Sequence, residues 1–411
     1  MTMTVSRLGH LGDGVIAQDG GDLFAPFTLP GEVVSGDPNG DRLENVRITT
    51  PSADRITPVC RHFKQCGGCQ VQHASASFVE DWKARIVESA LAAQGINVRV
   101  EQVFTAPPSS RRRARFAGRR TKKSAMIGFH RTASDQLVEV PDCKVLAPAI
   151  LAALPMLRDV TARFASRKGV LGLQVTDTTT GLDIDITGAE ISTPVDIAAL
   201  IQIVQQANVA RVSNNGEMLA TFTDPKIFWD GIAVTPVAGG FLQATPEAEA
   251  ALIEFVKAAT KGAKRILDLF AGAGTFALPM SKQAEVEAYE LDLRSIAAMD
   301  AAWRQAKGVR NLNAKVRDLF RAPLDIKELA GFDAAIIDPA RAGASAQMAE
   351  LAASQIPVIA SISCNPVTFA RDARILIDGG YTLEKLQVID QFRWSSHVEL
   401  AARFTKRHMS G

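Results

Sequence analysis

The stretch Arg265-Ile-Leu-Asp-Leu-Phe-Ala-Gly-Ala-Gly-Thr275 decides the fold of this chain. It begins with an apolar run typical of a buried strand, passes through a glycine-rich turn and leads into a predicted helix. Neither a dinucleotide fingerprint nor a P-loop is complete, because the third glycine and a Gly-Lys-Ser/Thr sequence are both missing. The stretch therefore predicts a strand–turn–helix unit with a ligand outside the carboxyl end of its strand.

The sequence around this stretch, residues 236–411, alternates strand candidates with helical segments. Strands are predicted at 265–270, 286–291, 334–338 and 357–363, and helices at 279–283, 294–307, 346–354 and 366–379. Buried apolar strands with helical crossovers predict an α/β domain with a doubly wound, Rossmann-like parallel sheet. An antiparallel pair at 383–388 and 400–405 is expected to close it.

Two further domains are predicted before it. Residues 1–50 hold short apolar runs separated by glycine and aspartate turns, which predicts a small N-terminal β-barrel. Residues 51–235 combine a helical stretch at 78–94 with strand candidates at 125–129, 172–176 and 182–187, and indicate a mixed α/β central domain. Three domains fit a length of 411 residues.

Charge is spread unevenly along the chain. The net charge is only +2, but residues 111–123 hold eight arginines and lysines and no acid. A local concentration of this kind predicts contacts with the phosphates of a nucleic acid. No apolar run reaches the ~18 residues of a membrane span, and Met1-Thr-Met-Thr-Val-Ser-Arg lacks the layout of a secretion signal. We therefore expect a cytoplasmic protein without membrane contact.

Acidic residues accompany the glycine turn. Asp268 precedes the turn, Glu290 ends the next strand and Asp318 follows the one after. Glycines allow a ligand to approach the backbone closely, Glu290 can accept both hydroxyls of a ribose, and Asp318 can contact an adenine edge. The combination favours a nucleoside without phosphates and predicts an S-adenosylmethionine site.

Three motifs end later strands: Ile336-Ile-Asp-Pro-Ala-Arg341, Ser361-Ile-Ser-Cys-Asn-Pro366 and His397-Val-Glu399. Cys364 stands where a strand gives way to a helix, and the positive helix end is expected to lower its thiol pKa. His397 and Glu399 share a face if their segment is extended. Taken alone, however, a cysteine that ends an apolar strand is more often a buried small hydrophobe.

The other four cysteines are Cys60, Cys66, Cys69 and Cys143. An odd total of five in a cytoplasmic chain argues against a disulfide framework. Four thiolates suit zinc and an iron–sulfur cluster equally well, and Gly67-Gly68 permits a sharp turn between two of them. The residues alone leave these two groups open.

Taken together, Asp268-Leu-Phe-Ala-Gly-Ala-Gly, Asp338-Pro-Ala-Arg, Ser363-Cys-Asn-Pro and His397-Val-Glu resemble the RNA uracil-C5 methyltransferases, in the family's order and over essentially the whole chain. The set Cys60-x5-Cys66-Gly-Gly-Cys69 with Cys143 resembles the ribosomal-RNA members that carry a [4Fe–4S] cluster. The N-terminal barrel resembles their TRAM module, which is OB-like.

The resemblance implies a role for each motif. Cys364 would be the nucleophile that adds to C6 of a uridine, and Glu399 the general base. The [4Fe–4S] cluster would be held by Cys60, Cys66, Cys69 and Cys143, and the S-adenosylmethionine or target pocket would be lined by Gln243, Phe270, Thr275, Glu290, Asp318 and Asp338. The implied partner is RNA, with 23S rRNA favoured and tRNA as the alternative, and the chain is expected to act as a monomer.

This sequence departs from the family pattern at two places. Ala340 replaces the second proline of Asp-Pro-Pro-Arg, and Ala271 and Thr275 stand where cysteine and asparagine are frequent. Neither departure removes a reacting group, although Thr275 is thereby a weaker cofactor contact.

The sequence argues against two rival functions. A cytosine-C5 methyltransferase would usually carry a cysteine at the position of Ala340. An iron–sulfur RNA-binding protein without turnover would not need Cys364, Glu399 and Glu290.

Overall fold

A six-stranded sheet forms the N-terminal part of the computed structural model, which describes residues 2–406. Its strands are β1 (Met3–Thr4), β2 (Arg7–Leu8), β3 (Gly14–Ile16), β4 (Leu23–Ala25), β5 (Val33–Asn39) and β6 (Arg42–Thr50). They follow the order β1-β5-β6-β4-β3-β2 around a small core that includes Val34 and Leu43. Short strands and turns thus lie where they were predicted, whereas a closed barrel and its TRAM likeness stay predictions.

A seven-stranded sheet with helices on one face forms the central part of the chain. Its strands are β8 (Arg113–Arg120), β9 (Ala125–His130), β10 (Leu137–Val138), β11 (Leu171–Thr178), β12 (Gly181–Thr187), β13 (Val209–Asn214) and β14 (Glu217–Thr221), and its helices are α2 (Pro148–Ala152), α3 (Leu154–Phe164) and α4 (Pro194–Val204). Alternate residues of β8 such as Phe116 enter the core, so the arginines between them face outward. The three strands predicted here coincide with β9, β11 and β12.

The C-terminal part is an eight-stranded sheet in the order β19-β18-β17-β20-β21-β23-β22-β7. Its elements are α1 (Ala76–Ala92), β7 (Gln102–Thr105), α5 (Pro246–Ala259), β17 (Arg265–Leu269), α6 (Ala277–Met280), β18 (Glu285–Glu290), α7 (Leu293–Gln305), β19 (Leu312–Val316), β20 (Ala334–Ile337), α8 (Ser345–Ala353), β21 (Val358–Ser363), α9 (Pro366–Asp378), β22 (Tyr381–Asp390) and β23 (Leu400–Lys406). A separate hairpin, β15 (Ile227–Trp229) and β16 (Ile232–Val234), precedes α5.

The arrangement of this sheet is that of a doubly wound α/β domain. Strands β17 to β21 pair in parallel, and buried apolar residues pack on both faces of the sheet. Strand β23 runs antiparallel between β21 and β22, as the closing pair was predicted to do. The predicted helix at 279–283 is only the single turn α6, and the polar edge strand β19 was predicted only as the strand before Asp318, without bounds.

One segment departs from the predicted domain boundaries. Residues 51–235 were predicted to form one central domain, but α1 packs against α9 and β7 pairs in parallel with β22, with Gln102 opposite Gln387. Both elements therefore belong to the C-terminal sheet. A hydrophobic pattern shows that a strand is buried but does not show which sheet receives it.

None of the helices in residues 2–406 is long and apolar enough to cross a membrane.

Candidate active site

A cavity of about 1040 Å³ lies where the C-terminal sheet faces the central part of the chain. All twelve residues that the sequence predicted for the site line it: Cys60, Cys66, Cys69, Cys143, Gln243, Phe270, Thr275, Glu290, Asp318, Asp338, Cys364 and Glu399. Four of them stand at or just beyond the carboxyl ends of the parallel strands β17, β18, β20 and β21. These ends share one edge of the sheet, which brings distant motifs together.

The glycine turn after β17 is shaped for close approach of a ligand. Gly274 has φ = +96°, and a Cβ there would stand 2.7 Å from Met299 Cγ, so only glycine fits. A Cβ on Gly272, by contrast, would meet no atom within 4 Å, which leaves its backbone open to the cavity. Phe270, just before the turn, also has a left-handed backbone with φ = +62°.

Glu290 is fixed by backbone amides at the end of β18. Its carboxylate accepts hydrogen bonds from the N–H groups of Gly272 at 2.9 Å, Leu291 at 2.7 Å and Asp292 at 2.9 Å. These bonds join the acid to the glycine turn and hold both carboxylate oxygens in place. A carboxylate fixed in this way is suited to accept hydrogen bonds from vicinal hydroxyl groups.

An aromatic pair lies beside this carboxylate. The rings of Phe270 and Phe320 are 5.0 Å apart, and Phe320 is half exposed. Asp318 accepts hydrogen bonds from the N–H groups of Phe320, at 3.1 Å, and Arg321. An acid next to exposed aromatic faces suits a flat heteroaromatic ring. Phe320 was not predicted, although an aromatic residue two positions after Asp318 was a usable signal.

Asp268 lies fully buried under the glycine turn. Burial, together with the negative charges of Asp338 and Glu290, raises its pKa well above the usual value for aspartate. The neutral form of the Asp268 carboxyl group is therefore favoured relative to an exposed aspartate.

Cys364 and Glu399 come together through the register of β21 and β23. Ser363 pairs with Leu400 in this antiparallel ladder. Cys364 follows Ser363 and Glu399 precedes Leu400, so the two residues stand opposite one another at the strand ends. Cys364 is half-buried and Glu399 is buried. A thiol and a carboxylate that line one cavity from adjacent strands can act on the same substrate.

Gln391 is a buried residue of the site that was not predicted. Its Nε2 donates to Glu399 Oε2 at 2.8 Å and to Gln243 Oε1 at 2.6 Å, and its Oε1 accepts from the N–H of Ala244. This single amide therefore orients both Glu399 and Gln243. No sequence signal links Gln391 to Gln243, because their contact depends on the folded sheet.

Burial and neighbouring negative charge raise the pKa values of Asp338, Glu399 and Cys364. Burial raises the pKa of Asp338 to about 7, and burial together with Asp338 raises that of Glu399 to about 8. Burial and these two carboxylates raise the pKa of the Cys364 thiol to about 11, against the opposing effect of Arg341. The predicted lowering of the thiol pKa by the helix end is therefore wrong for the free protein, because burial and the two acids together outweigh one helix end.

The four other cysteines gather on one side of the cavity as free thiols. Burial raises the pKa of the Cys69 thiol to about 12, with smaller contributions from Cys143, Cys66 and Cys60. Within residues 2–406, no three histidine, cysteine, aspartate or glutamate side chains converge closely enough to hold a single metal ion. The guanidinium of Arg111, close enough to Cys69 and Cys143 to interact electrostatically, supplies positive charge beside them.

The basic stretch at residues 111–123 contains both buried and exposed residues. Arg112 is buried, where it forms an ion pair with Glu249 of α5 at 2.5 Å, so it cannot reach a phosphate as predicted. The guanidinium of Arg113 lies 4.9 Å from the ring centre of Phe241, which is 71% exposed at the edge of the cavity. Five basic residues remain exposed for a polyanion: Arg115, Arg119, Arg120, Lys122 and Lys123.

We predict opposite consequences for two arginines of this stretch. Arg119→Ala should weaken RNA binding and lower the slope of log Kd against log salt by about 0.7 to 0.9, the loss of one phosphate contact. Arg112→Ala should leave Glu249 unpaired and cost about 3–5 kcal/mol of unfolding free energy. Binding titrations at several salt concentrations and chemical denaturation measure the two effects.

Arg304 supplies the control, because it is exposed on α7 and lies far in the sequence from residues 111–123. Arg304→Ala should change neither the salt slope nor the stability beyond about 0.5 kcal/mol. An unchanged slope for Arg119→Ala would remove that residue from the RNA interface.

Comparisons with known proteins identify relatives along the whole chain. Residues 230–407 match the family model described as tRNA (Uracil-5-)-methyltransferase. An uncharacterized RNA methyltransferase of Rhizobium meliloti (strain 1021) is 42% identical over 98% of this chain and 99% of its own length. The 23S rRNA (uracil(1939)-C(5))-methyltransferase RlmD of Shewanella sp. (strain MR-4) is 32% identical over 98% of this chain and 95% of its own.

The fold is also found in a solved structure. The Pyrococcus abyssi tRNA (uracil-54, C5)-methyltransferase in complex with S-adenosyl-L-homocysteine superimposes with a TM-score of 0.76, covering 98% of this chain and 100% of that one. Its sequence identity is 20%, so the likeness concerns the fold.

Proposed function

Because this chain belongs to the family of S-adenosylmethionine-dependent RNA uracil-5-methyltransferases, we propose that it methylates C5 of one uridine in 23S rRNA through a covalent adduct on Cys364. The observation that carries the proposal is the joint presence of Cys364, Glu399 and the predicted cofactor contacts around one cavity. Uridine methylation needs a nucleophile, a base and a methyl donor within reach of a single ring.

An attacking group from the enzyme is required because C5 of uracil is itself too weakly nucleophilic to take a methyl group directly. The Cys364 sulfur would form a bond to C6 of the uracil, and the electron pair of the C5–C6 double bond would move to make an enolate over C4 and C5. S-adenosylmethionine supplies the methyl group as an electrophilic sulfonium, and C5 becomes reactive enough to take it.

A base is required to release the product. Glu399 would accept the proton from C5, the electrons of the C5–H bond would restore the C5–C6 double bond, and the Cys364 thiolate would leave. A pKa of about 8 places Glu399 near physiological pH, where a carboxylate can both accept and return a proton efficiently. Gln391 would orient its carboxylate toward the target base.

The cofactor contacts follow from the geometry at the strand ends. Glu290 would accept the ribose hydroxyls, Asp318 would receive the adenine amino group, and the rings of Phe270 and Phe320 would pack on the adenine. Thr275 and Asp338 would border the rest of the donor, and Gln243, held by Gln391, would bind next to the target base. Because Asp338 and Glu399 are negative when ionised, the positive sulfonium would lower the pKa of both.

The proposal also names the class of RNA that is methylated. The named RlmD relative covers nearly the whole chain at 32% identity, which supports 23S rRNA. The tRNA alternative is supported by the description of the matching family model and by the fold of the Pyrococcus abyssi enzyme.

Mapping 5-methyluridine in total rRNA and tRNA from cells with and without this protein tests the target. We expect one uridine of 23S rRNA to lose its methyl group while tRNA is unchanged. Loss confined to tRNA would establish the alternative, and no loss in either RNA would favour a binding protein without turnover.

For the four thiols we propose a [4Fe–4S] cluster held by Cys60, Cys66, Cys69 and Cys143. The support is the spacing of the cysteines, their position around a shared space and the neighbouring positive Arg111. A cluster of four irons and four sulfides is wider than a single ion, so its ligands stand further apart than those of zinc. The proposed reaction transfers no electrons, so the group would support the structure of this surface.

Protein purified without oxygen is expected to be brown and to contain about four irons per chain, since a [4Fe–4S] cluster binds through four thiolates. Cys143→Ser should lower the iron content, whereas Cys364→Ser should leave it unchanged because Cys364 belongs to the other side of the cavity. A colourless protein with one zinc per chain would overturn the cluster.

A further inference from the structure

The segment from Phe392 to His397 leads directly to Glu399 and has no regular secondary structure. It joins β22 to β23, and within it Trp394 has a left-handed backbone with φ = +62°. A non-glycine residue in this conformation is held there only when neighbouring groups fix it. We call residues 392–397 the base loop, because they precede the proposed general base.

Two backbone amides that follow Cys69 hold the middle of the base loop. The N–H groups of Gln70 and Val71 both donate to the carbonyl oxygen of Trp394, at 2.8 and 3.0 Å. Trp394 also packs against a small core that contains Val71 and Trp82. The strained residue of the base loop is thus fixed by a segment more than 300 residues away in the sequence.

The side chain of Gln70 connects the cysteine loop to the base loop. Its Nε2 donates to the carbonyl oxygen of Gly67, at 2.9 Å, and its Oε1 accepts from the N–H of Ser396, at 3.2 Å. Gly67 lies between Cys66 and Cys69, and Ser396 lies three residues before Glu399. The side-chain amide of Gln70 therefore connects the segment from Cys66 to Cys69 with the residues just before Glu399.

The N-terminal sheet also contacts Gln70. Gly12, with φ = +94°, packs so closely that a Cβ on it would lie 2.8 Å from Gln70 Cβ. Only glycine fits at this place, so the turn that carries Gly12 packs directly against Gln70.

A second anchor lies at the ends of the base loop. The ammonium of Lys83 in α1 is buried, pairs with Asp390 at 2.5 Å, and donates to the carbonyl oxygens of Phe392 and His397. Replacing it would leave Asp390 buried and unpaired, which costs several kcal/mol. Lys83 is therefore part of the folded framework, whereas Gln70 is half-buried and can be changed.

We propose that Gln70 is a positioning residue, which fixes the base loop against the segment from Cys66 to Cys69 and thereby aims Glu399 at the target base. The proposal rests on the proposed function in one respect, the role of Glu399 as base. Its geometric part, the anchoring of the base loop, is independent of the reaction.

The test compares Gln70→Ala with Gln70→Met, which keeps the side-chain length but removes both hydrogen bonds. Gln65→Ala is the matched control, because Gln65 is an exposed glutamine of the same segment. All proteins are purified as full-length chains under the same conditions without oxygen. Three quantities are measured: kcat and KM for RNA, the fraction of SDS-stable protein–RNA adduct during turnover, and hydrogen exchange of residues 392–399 without substrate.

For both Gln70 variants we expect kcat to fall between about 10- and 100-fold with KM within about twofold, since a base misplaced by about 1 Å loses rate of this order. The adduct fraction should rise, because its breakdown waits for the base. Amides of the base loop should exchange faster than in the wild type and in Gln65→Ala. A general loss of structure would lower the adduct fraction together with kcat.

The proposal would be overturned if both Gln70 variants matched the wild type in hydrogen exchange, adduct fraction and kcat. Faster exchange with an unchanged adduct fraction and kcat would also overturn it, since the anchor would then not govern the base. Failure of the proposed function has a different signature: Glu399→Gln would form no adduct, while the exchange result would still decide whether Gln70 anchors the base loop.

Discussion

Cys364→Ala is expected to lower methylation of RNA by at least about 10⁴-fold, because the covalent route to an activated C5 disappears with the sulfur. No SDS-stable adduct with RNA should form under any condition. The binding of S-adenosylmethionine and of RNA should stay within about threefold of the wild type, since alanine removes one half-buried atom at the cavity wall. Transfer of radiolabelled methyl groups to RNA and gel analysis of denatured complexes measure the effect.

Val367→Ala serves as the control for local damage. Val367 lies in the first turn of α9, three residues after Cys364, and is 70% exposed. Its substitution should preserve both activity and adduct. A Cys364→Ala protein that methylates uridine at the wild-type rate would rule out the covalent mechanism.

The strand–turn–helix unit was predictable because its information is local. The apolar residues of 265–269 and the two glycines Gly272 and Gly274 specify a buried strand and a tight turn without reference to the rest of the chain. The parallel sheet follows from repeating that pattern. The motifs at strand ends then meet at one edge by topology alone, which is why Phe270, Glu290, Asp338 and Cys364 line one cavity.

The parts that could not be predicted depend on pairing between distant segments. Strand β7 reaches the edge of the C-terminal sheet at β22, Gln391 contacts Gln243, and Gln70 contacts Ser396. Each partner is chosen by three-dimensional packing, and a polar residue such as glutamine leaves no periodic pattern that would reveal it. Resemblance to a family points to the groups that are proposed to react, but it does not point to the groups that hold them.

The pKa of the Cys364 thiol could not be predicted from the sequence either, because it depends on groups that are distant in the sequence. A cysteine at a helix start is a local feature, and it predicts a favourable interaction of a thiolate with the helix end. The opposing carboxylates Asp338 and Glu399 enter from other strands, and their negative charge and the burial of the site raise the pKa of Cys364 to about 11 in the free protein. Thiolate formation is therefore expected to depend on the arrival of positive charge or of the target base.

Glu399→Gln is expected to stop turnover after the methyl transfer. Glutamine keeps the size of the side chain and can accept the hydrogen bond from Gln391, but it cannot take the proton from C5. The rate of product formation should fall by about 10²- to 10⁴-fold, the usual contribution of a general base. One methylated RNA per enzyme should remain attached to Cys364 and survive denaturation, which gel analysis and mass spectrometry detect.

The pH dependence of the wild type supplies an independent check. The pKa of Glu399 is raised to about 8, so the carboxylate is largely protonated below that value and cannot accept the proton of C5. Product release from the adduct should therefore slow as pH falls below about 8, with a tenfold loss for each further unit when this one group controls the step. Glu399→Gln should lack this dependence, because an amide does not titrate.

Glu384 of β22 provides the matched substitution. It is a partly exposed glutamate that pairs with Arg403 on the neighbouring strand β23, outside the cavity. Glu384→Gln should leave the rate, the adduct and the pH profile as in the wild type. Multiple turnovers by Glu399→Gln at the wild-type rate would require another base, and Asp338, the second ionisable acid beside Cys364, would then be the residue to replace.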